Sequence, residues 1–255
     1  MIRSLARPSA VRVAALALVG LVAVAGCVGA QTTTNLYAGG SPAPAGSAPP
    51  AASEAPPAVS AASSPTTGSS GCPTSQPAPL GKGEKRSVTI ETPKGKIVIE
   101  LTGDLSPIAT GNFVALAACG YYDGVVFHRV VQGFVIQGGD GEFGRVGQDG
   151  KLSAANAGQA GTGGPGYTIQ DEPVTATYGR GVVAMARTSA PNSVGSQFFI
   201  VLDDGARQAL AQYNTYQIIG TVTSGMEVVD AIAAAADKEL PTNPIPMTKV
   251  TVTTP

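Results

Sequence analysis

The sequence predicts a mostly β domain, a closed antiparallel sheet with two helices, set behind a long N-terminal region that does not fold with it. Three observations carry that prediction. Short stretches of alternating apolar and polar residues recur from Ser87 to Thr253, each bounded by glycine, proline or asparagine. Only two segments carry helix-start signals ahead of apolar residues on one face. Ten of the twenty prolines fall within residues 28–80, beside a single charged residue, Glu54, and a single aromatic, Tyr37. Such a stretch cannot bury enough apolar surface to offset chain entropy, so it reads as disordered linker, leaving residues 81–255 as one domain of ordinary size.

Arg3, Arg7 and Arg12 precede an uncharged apolar run from Val13 to Gly26. A bilayer span needs about 20 residues, so residues 1–26 read as a signal peptide. The run ends in Val24-Ala25-Gly26-Cys27, which resembles the lipobox of bacterial lipoproteins. That resemblance implies diacylglyceryl modification of Cys27, cleavage before it, and a lipid-anchored protein on the extracytoplasmic face of the cell membrane. Residues 27–80 then become a tether spanning roughly 40 Å. Of the other two cysteines, Cys72 sits in the linker and Cys119 ends a predicted helix. Outside the cytoplasm they either pair or stay as an inert and a buried thiol.

Within the domain, Ser87–Thr92 and Lys96–Leu101 flank Pro93-Lys94-Gly95 as a hairpin. Ser106 as N-cap and Pro107 at the first helical position open a helix whose Ile108, Phe113, Val114, Leu116 and Ala117 share one face, and which stops at Gly120. Gly111 inside it is unfavourable by about 1 kcal/mol against alanine. Further strands are expected at Val126–Val131, Phe134–Gln137, Tyr167–Gln170, Val182–Ala186, Gln197–Leu202, Gln217–Val222 and Lys249–Thr253. Ser224-Gly225-Met226-Glu227 reads as a capping box ahead of a second helix that buries Val228, Val229, Ile232 and Ala233.

Two segments carry the chemistry, Val126 to Asp140 (VFHRVVQGFVIQGGD) and Ala184 to Leu202 (AMARTSAPNSVGSQFFIVL). Each sets strong hydrogen bonders on an apolar strand: Arg129 with Gln137, and Gln197. A guanidinium among Val and Phe is costly to bury unless it serves a bound polar group or an acid, so the pattern points to a ligand groove; the plainer reading of Arg129 is a surface salt bridge. Strand alternation puts Phe127 with Arg129 and His128 opposite, and Gln197 with Phe199 while Phe198 faces the core.

Several other chemistries fail on their own terms. His128 is the only histidine, so it builds neither a zinc site nor a Ser-His-Asp set. Gly139-Asp140-Gly141-Glu142-Phe143-Gly144 matches G-x-G-x-x-G, but eleven glycines between Gly138 and Gly166 leave no helix to receive a pyrophosphate. That stretch reads as a glycine-rich surface loop flanking the groove. Gly150-Lys151-Leu152 lacks the rest of a P-loop. Apart from Arg3, Arg7, Arg12 and Glu54, the chain carries 13 Lys+Arg against 16 Asp+Glu, and no basic face points to nucleic acid.

The two segments resemble, nearly residue for residue, the signature stretches of the cyclophilins, the peptidyl-prolyl cis-trans isomerases, and the resemblance runs from about Ser87 to Thr253. It implies an eight-stranded barrel capped by two helices, with the ligand bound outside it. It implies catalytic roles for Arg129, Gln137 and Gln197, an apolar proline pocket of Phe134, Val135, Phe199 and Leu210, and peptide contacts from Ala186, the main chain of Arg187 and Tyr216. It implies no cofactor and no metal. The expected partners are proline-containing segments of unfolded or exported proteins, bound by a monomer that assists their folding. Departures from the family pattern are Val135 for methionine, Arg187 for asparagine, an Arg187–Pro191 connection one residue longer, and Tyr216 for a histidine. With no tryptophan in the chain, weak cyclosporin binding is expected. The rival readings are a catalytically weak proline-peptide binding module or chaperone of the cell envelope and, more remotely, a solute-binding lipoprotein.

Overall fold

The computed structural model describes residues 71–255; the predicted signal peptide, Cys27 and the linker up to residue 70 lie outside the described residues. Eight strands follow in chain order: β1 (Lys85–Thr92), β2 (Gly95–Thr102), β3 (Arg129–Val131), β4 (Val135–Gly138), β5 (Val182–Met185), β6 (Phe198–Val201), β7 (Ile218–Ser224) and β8 (Lys249–Thr253). They form one antiparallel ladder in the order β3-β4-β6-β5-β7-β2-β1-β8. The end strands β3 and β8 do not pair with each other as strands. The residues just before each bridge the seam instead: Gly124 N–H donates to Met247 O (2.7 Å), Met247 N–H to Val125 O (2.8 Å) and Phe127 N–H to Ile245 O (2.9 Å). The sheet is thus a curled half-barrel whose edges are satisfied by irregular backbone, which removes the template that an open edge would offer.

Four helices accompany the sheet rather than two: α1 (Pro107–Ala118), α2 (Ala154–Ala157), α3 (Ala206–Tyr213) and α4 (Met226–Ala234). The short α2 arises inside the glycine-rich stretch because Ser153 Oγ accepts from Asn156 N–H. The α3 helix ends where Asn214 takes a left-handed conformation (φ 44°) and donates its N–H to Leu210 O. Tyr167–Gln170 is not a strand; only Ile169 bridges, to Val194. The strand expected from Val126 begins at Arg129, since Val125 and Val126 bridge to Arg145 and Pro246.

Neither expected side-chain cap forms. Ser106 makes no capping bond; the carboxylate of Glu172 accepts from Ile108 N–H (2.8 Å) and Ala109 N–H (2.9 Å), placing a negative charge at the positive end of α1. At α4 the capping box does not form. Gly225 is the N-cap at φ 89°, where a Cβ would sit 2.2 Å from Lys96 O, so close passage over β2 decides the residue.

Residues 71–80, assigned to the linker on composition, lie against α1. Cys72 is disulfide-bonded to Cys119, Leu80 N–H donates to Pro107 O (2.9 Å), and Gln76 Oε1 accepts from Gln170 N–H (2.8 Å). This strap explains Gly111. A Cβ there would meet Ala78 O at 2.3 Å and Leu80 N at 2.8 Å. Helix propensity alone predicts that Gly111→Ala stabilises by up to about 1 kcal/mol. The packing predicts the opposite sign, a loss of about 1–3 kcal/mol as the strap is pushed off. Urea unfolding of the two proteins decides it, and a stabilised alanine variant would mean that the strap contributes nothing.

The main core fills the concave side. Val88, Ile90, Ile97, Ile99 and Leu101 from β1 and β2 meet Val130, Ile136, Val183, Phe198 and Ile200, with α1 supplying Phe113 and Leu116 and α4 supplying Val229 and Ile232. Phe113 stacks on Tyr122 (4.9 Å between ring centroids) and meets Phe198 edge-on (5.1 Å).

Candidate functional site

Alternation along β3, β4 and β6 sorts their side chains onto two faces. Val130, Ile136, Phe198 and Ile200 point into the main core. Their neighbours point outward in cross-strand pairs: Arg129 opposite Gln137, Val135 opposite Val201, and Gln137 opposite Phe199. On this outer face Val135, Ala184, Phe199, Val201, Ala206, Leu210, Ile218 and Tyr178 form a second buried cluster, with Phe134, Ala186 and Tyr216 packed on it. The α3 helix therefore exists to deliver Leu210 (3 % exposed) to the floor that Val135 (2 %) and Phe199 (4 %) begin. Tyr216 meets Phe199 edge-on, 5.4 Å between centroids at 85°. Phe134, Ala186 and Tyr216 remain partly open to solvent.

One expectation about side-chain direction does not hold. Phe127 does not share the face of Arg129; it is buried in the main core with its ring 6.2 Å from that of Phe198. Alternation fails because residues 125–128 are held at the seam rather than in a strand. His128 lies beside Gly161, where a Cβ would come within 3.0 Å of its ring. Neither ring nitrogen has a hydrogen-bond partner among the described residues. Burial pushes the imidazole down to about 4, against the pull of the nearby Asp140 carboxylate, so His128 is neutral near pH 7 and is no proton shuttle at that pH.

A relay of amides runs along the groove. Arg129 Nη1 donates to Gln137 Oε1 (3.4 Å), Gln137 Nε2 donates to Gln197 Oε1 (3.0 Å), and Gln197 Nε2 donates to Gly161 O and Gly163 O (2.9 Å each). Asp140 anchors the same loop by accepting from the N–H groups of Glu142, Phe143, Gly161 and Gly163. Burial would raise its carboxyl, but those four backbone bonds hold it below the usual value. The loop thus flanks the groove at its Gln137–Gln197 side. A cavity of about 720 Å³ opens there, lined by residues 161–168 together with Gln137, Ala186, Arg187, Thr188 and Gln197. It does not include the apolar floor, which is a closely packed surface at the other end.

Arg129, Phe134, Val135, Gln137, Gln197, Phe199, Leu210 and Tyr216 are brought to one face, and Ala186 borders the cavity. Ala186 N–H is used internally, donating to Gln197 O (2.8 Å). The Arg187 side chain turns away from the groove: Nη1 pairs with Asp171 (2.9 Å), and Nε and Nη2 donate to Thr188 O and Ala190 O. Only its main chain remains to face a ligand.

Two contributors went unforeseen. Tyr178 OH donates to Tyr216 O (2.9 Å) and accepts from Tyr216 N–H (3.1 Å), fixing the backbone of that residue; burial pushes its phenol up to about 12, so it stays a donor. Glu239 Oε1 accepts from Arg129 Nε (2.7 Å). Arg129 therefore occupies the groove and makes a salt bridge at once, and its Nη2 has no hydrogen-bond partner among the described residues. Among those residues no group of His, Cys, Asp and Glu is placed to hold a metal ion.

Residues 87–252 match the family model described as cyclophilin type peptidyl-prolyl cis-trans isomerase. The chain is 36 % identical over 156 residues to a probable peptidyl-prolyl cis-trans isomerase of Brucella suis, covering 61 % of this chain and 75 % of that one. It is 40 % identical over 146 residues to the Arabidopsis thaliana peptidyl-prolyl cis-trans isomerase CYP18-1, covering 56 % and 80 %. A crystal structure of a cyclophilin type peptidyl-prolyl cis-trans isomerase of Cryptosporidium parvum superposes with a TM-score of 0.54 at 30 % identity, covering 67 % of this chain and 99 % of that one. The same protein solved in the presence of the dipeptide Ala-Pro gives 0.52 at 30 % identity, covering 66 % and 99 %.

Proposed function

The chain belongs to the cyclophilin-type peptidyl-prolyl cis-trans isomerase family and is an isomerase of Xaa-Pro peptide bonds, and from that premise we propose that turnover is carried by Arg129 above the apolar floor of Phe134, Val135, Phe199 and Leu210. The observation that carries this reading is a partly exposed guanidinium with an unengaged Nη2, on the same sheet face as a buried apolar cluster.

Rotation about Xaa-Pro faces a barrier near 18–20 kcal/mol because nitrogen lone-pair resonance stiffens the bond. A site lowers it by holding the ring still and favouring the twisted state, in which the nitrogen regains its lone pair. Arg129 Nη2 donates to that lone pair, a charge-assisted bond that strengthens as resonance is lost. The proline ring rests on the apolar floor, Tyr216 limits its far side, and Gln137, braced by Gln197, touches the guanidinium while both amides meet the peptide backbone. No nucleophile or proton transfer enters. The Ala-Pro dipeptide used with the Cryptosporidium parvum relative supports a proline-containing segment as the occupant. Exchange spectroscopy on an Ala-Pro peptide tests the reading: cis-to-trans exchange should be accelerated, and binding without acceleration would make the domain a proline-peptide binding module.

In the cell the protein acts on exported proteins as a monomer on the extracytoplasmic face of the membrane, held by a lipid on Cys27. The sequence Val24-Ala25-Gly26-Cys27 at the end of an apolar run supports this. Two acyl chains at about 0.8 kcal/mol per buried CH2 suffice for durable anchoring. The Cys27→Ala protein is expected to lose its partition into the detergent phase; retained partition would place the anchor elsewhere.

A further inference from the structure

We infer that Glu239 is a positioning residue for the isomerase reaction: its carboxylate takes the Nε edge of Arg129 and so sets the direction in which the guanidinium presents Nη2 to a bound Xaa-Pro bond. The inference rests on the reading of Arg129 as the transition-state donor.

A guanidinium carries five N–H groups in one plane, so fixed contacts to two of its nitrogens determine where the remaining donors point. Gln137 supplies one contact, but at 3.4 Å it is long and leaves the plane free to swing. Glu239 supplies the second at 2.7 Å, on Nε, and leaves Nη2 without a partner among the described residues. Neither side chain is deeply buried; Arg129 is 35 % and Glu239 58 % exposed. A pair this exposed contributes little to folding stability, so stability does not account for it.

The carboxylate is held in place by its backbone. Val130 N–H donates to Glu239 O (2.8 Å), tying residue 239 to the strand that carries Arg129. Gln132 Nε2 donates to Ala233 O (2.6 Å), and Asp237 closes the turn by accepting from Thr242 N–H (2.9 Å) and Oγ1 (2.7 Å). Phe127 N–H, bonded to Ile245 O, secures the far end. The segment between α4 and β8 is therefore stapled to β3 and to the residues that flank it on both sides of Arg129, and Glu239 meets Arg129 because of the seam that closes the sheet. Misplacing a reacting group by about 1 Å can lower a rate by up to about a hundredfold, so an anchor of this kind acts on turnover rather than on binding.

The test uses the full chain with Glu239→Ala, Glu239→Gln, Arg129→Ala and the Arg129→Ala/Glu239→Ala double variant on an Ala-Pro peptide. Glu239→Ala is expected to lower kcat about five- to tenfold with KM unchanged, since the apolar floor is untouched. Glu239→Gln keeps an oxygen that accepts from Nε and should stay within about twofold of wild type. The Arg129 Nε–H resonance in 15N NMR should be protected from exchange in wild type and in Glu239→Gln and lost in Glu239→Ala. In the Arg129→Ala background, removing Glu239 should change nothing further. An unchanged or faster Glu239→Ala enzyme, or a Glu239→Gln enzyme as impaired as the alanine variant, overturns the inference. If Arg129→Ala keeps wild-type activity, the underlying reading of Arg129 falls as well; if Arg129→Ala is inactive while Glu239→Ala is normal, only the role of Glu239 falls.

Discussion

Arg129→Ala is expected to lower kcat/KM for a Xaa-Pro peptide by about 10²- to 10³-fold, the usual loss when one donor aimed at transition-state charge is removed. The loss should appear in kcat, because the contacts that hold the proline ring come from Val135, Phe199 and Leu210, which are packed by β4, β6 and α3 and do not depend on the guanidinium. Peptide affinity, followed by chemical-shift titration, should therefore change by a few-fold at most. Lysine is not a substitute: its ammonium is a point charge and cannot engage Glu239 and Gln137 through one rigid plane while offering a third donor. Arg129→Lys should fall close to the alanine variant. An alanine variant within about threefold of wild type would mean that the barrier is lowered by ring immobilisation alone, and the donor would have to be sought in the amides of Gln137 and Gln197.

The outer face of the sheet was readable because a strand has a period of two. Phe198 and Phe199 are adjacent and chemically identical, yet alternation alone sent the first to the core and the second to the groove, where they lie. The same rule failed one strand away at Phe127, since two residues short of β3 the backbone is bound to Ile245 rather than to a ladder partner. Pairings across the seam depend on where two distant segments meet. Glu239 is 110 residues from Arg129 and sits in irregular chain, so no periodicity marks it. Glu172 likewise caps α1 from 64 residues away, displacing the local Ser106 signal. Gly111 looks like a weak point in its helix and Gly225 like a filler in a capping box when read locally, and both are places where another backbone passes too close for a Cβ. Helix α3 was hidden for a different reason: Gly205 starts it with no side-chain cap, and only two of its residues, Ala206 and Leu210, are buried.

The second large effect separates the two phenylalanines. Phe198→Ala is expected to destabilise the domain by about 3–5 kcal/mol, a large share of the 5–15 kcal/mol that a domain of this size has. Its side chain is fully buried and touches Phe113 (5.1 Å), Tyr122 (5.7 Å) and Phe127 (6.2 Å) through ring edges. The wall around it is stiff, because β6 is bonded on one side to β4 and on the other to β5, so the backbone cannot close over the void. A thermal midpoint lower by roughly 10 °C is expected. Phe199→Ala removes the same atoms from the same strand, but next to the groove, where Phe134 and Tyr216 are partly exposed and free to lean in. It should be the milder change for folding and the harsher one for KM, since it deletes the floor beneath the proline ring. Urea unfolding and steady-state kinetics on both variants give the comparison. A Phe199→Ala protein less stable than Phe198→Ala would show that the outer cluster carries more of the folding energy than the concave core, and a KM unmoved by it would take the proline off that floor.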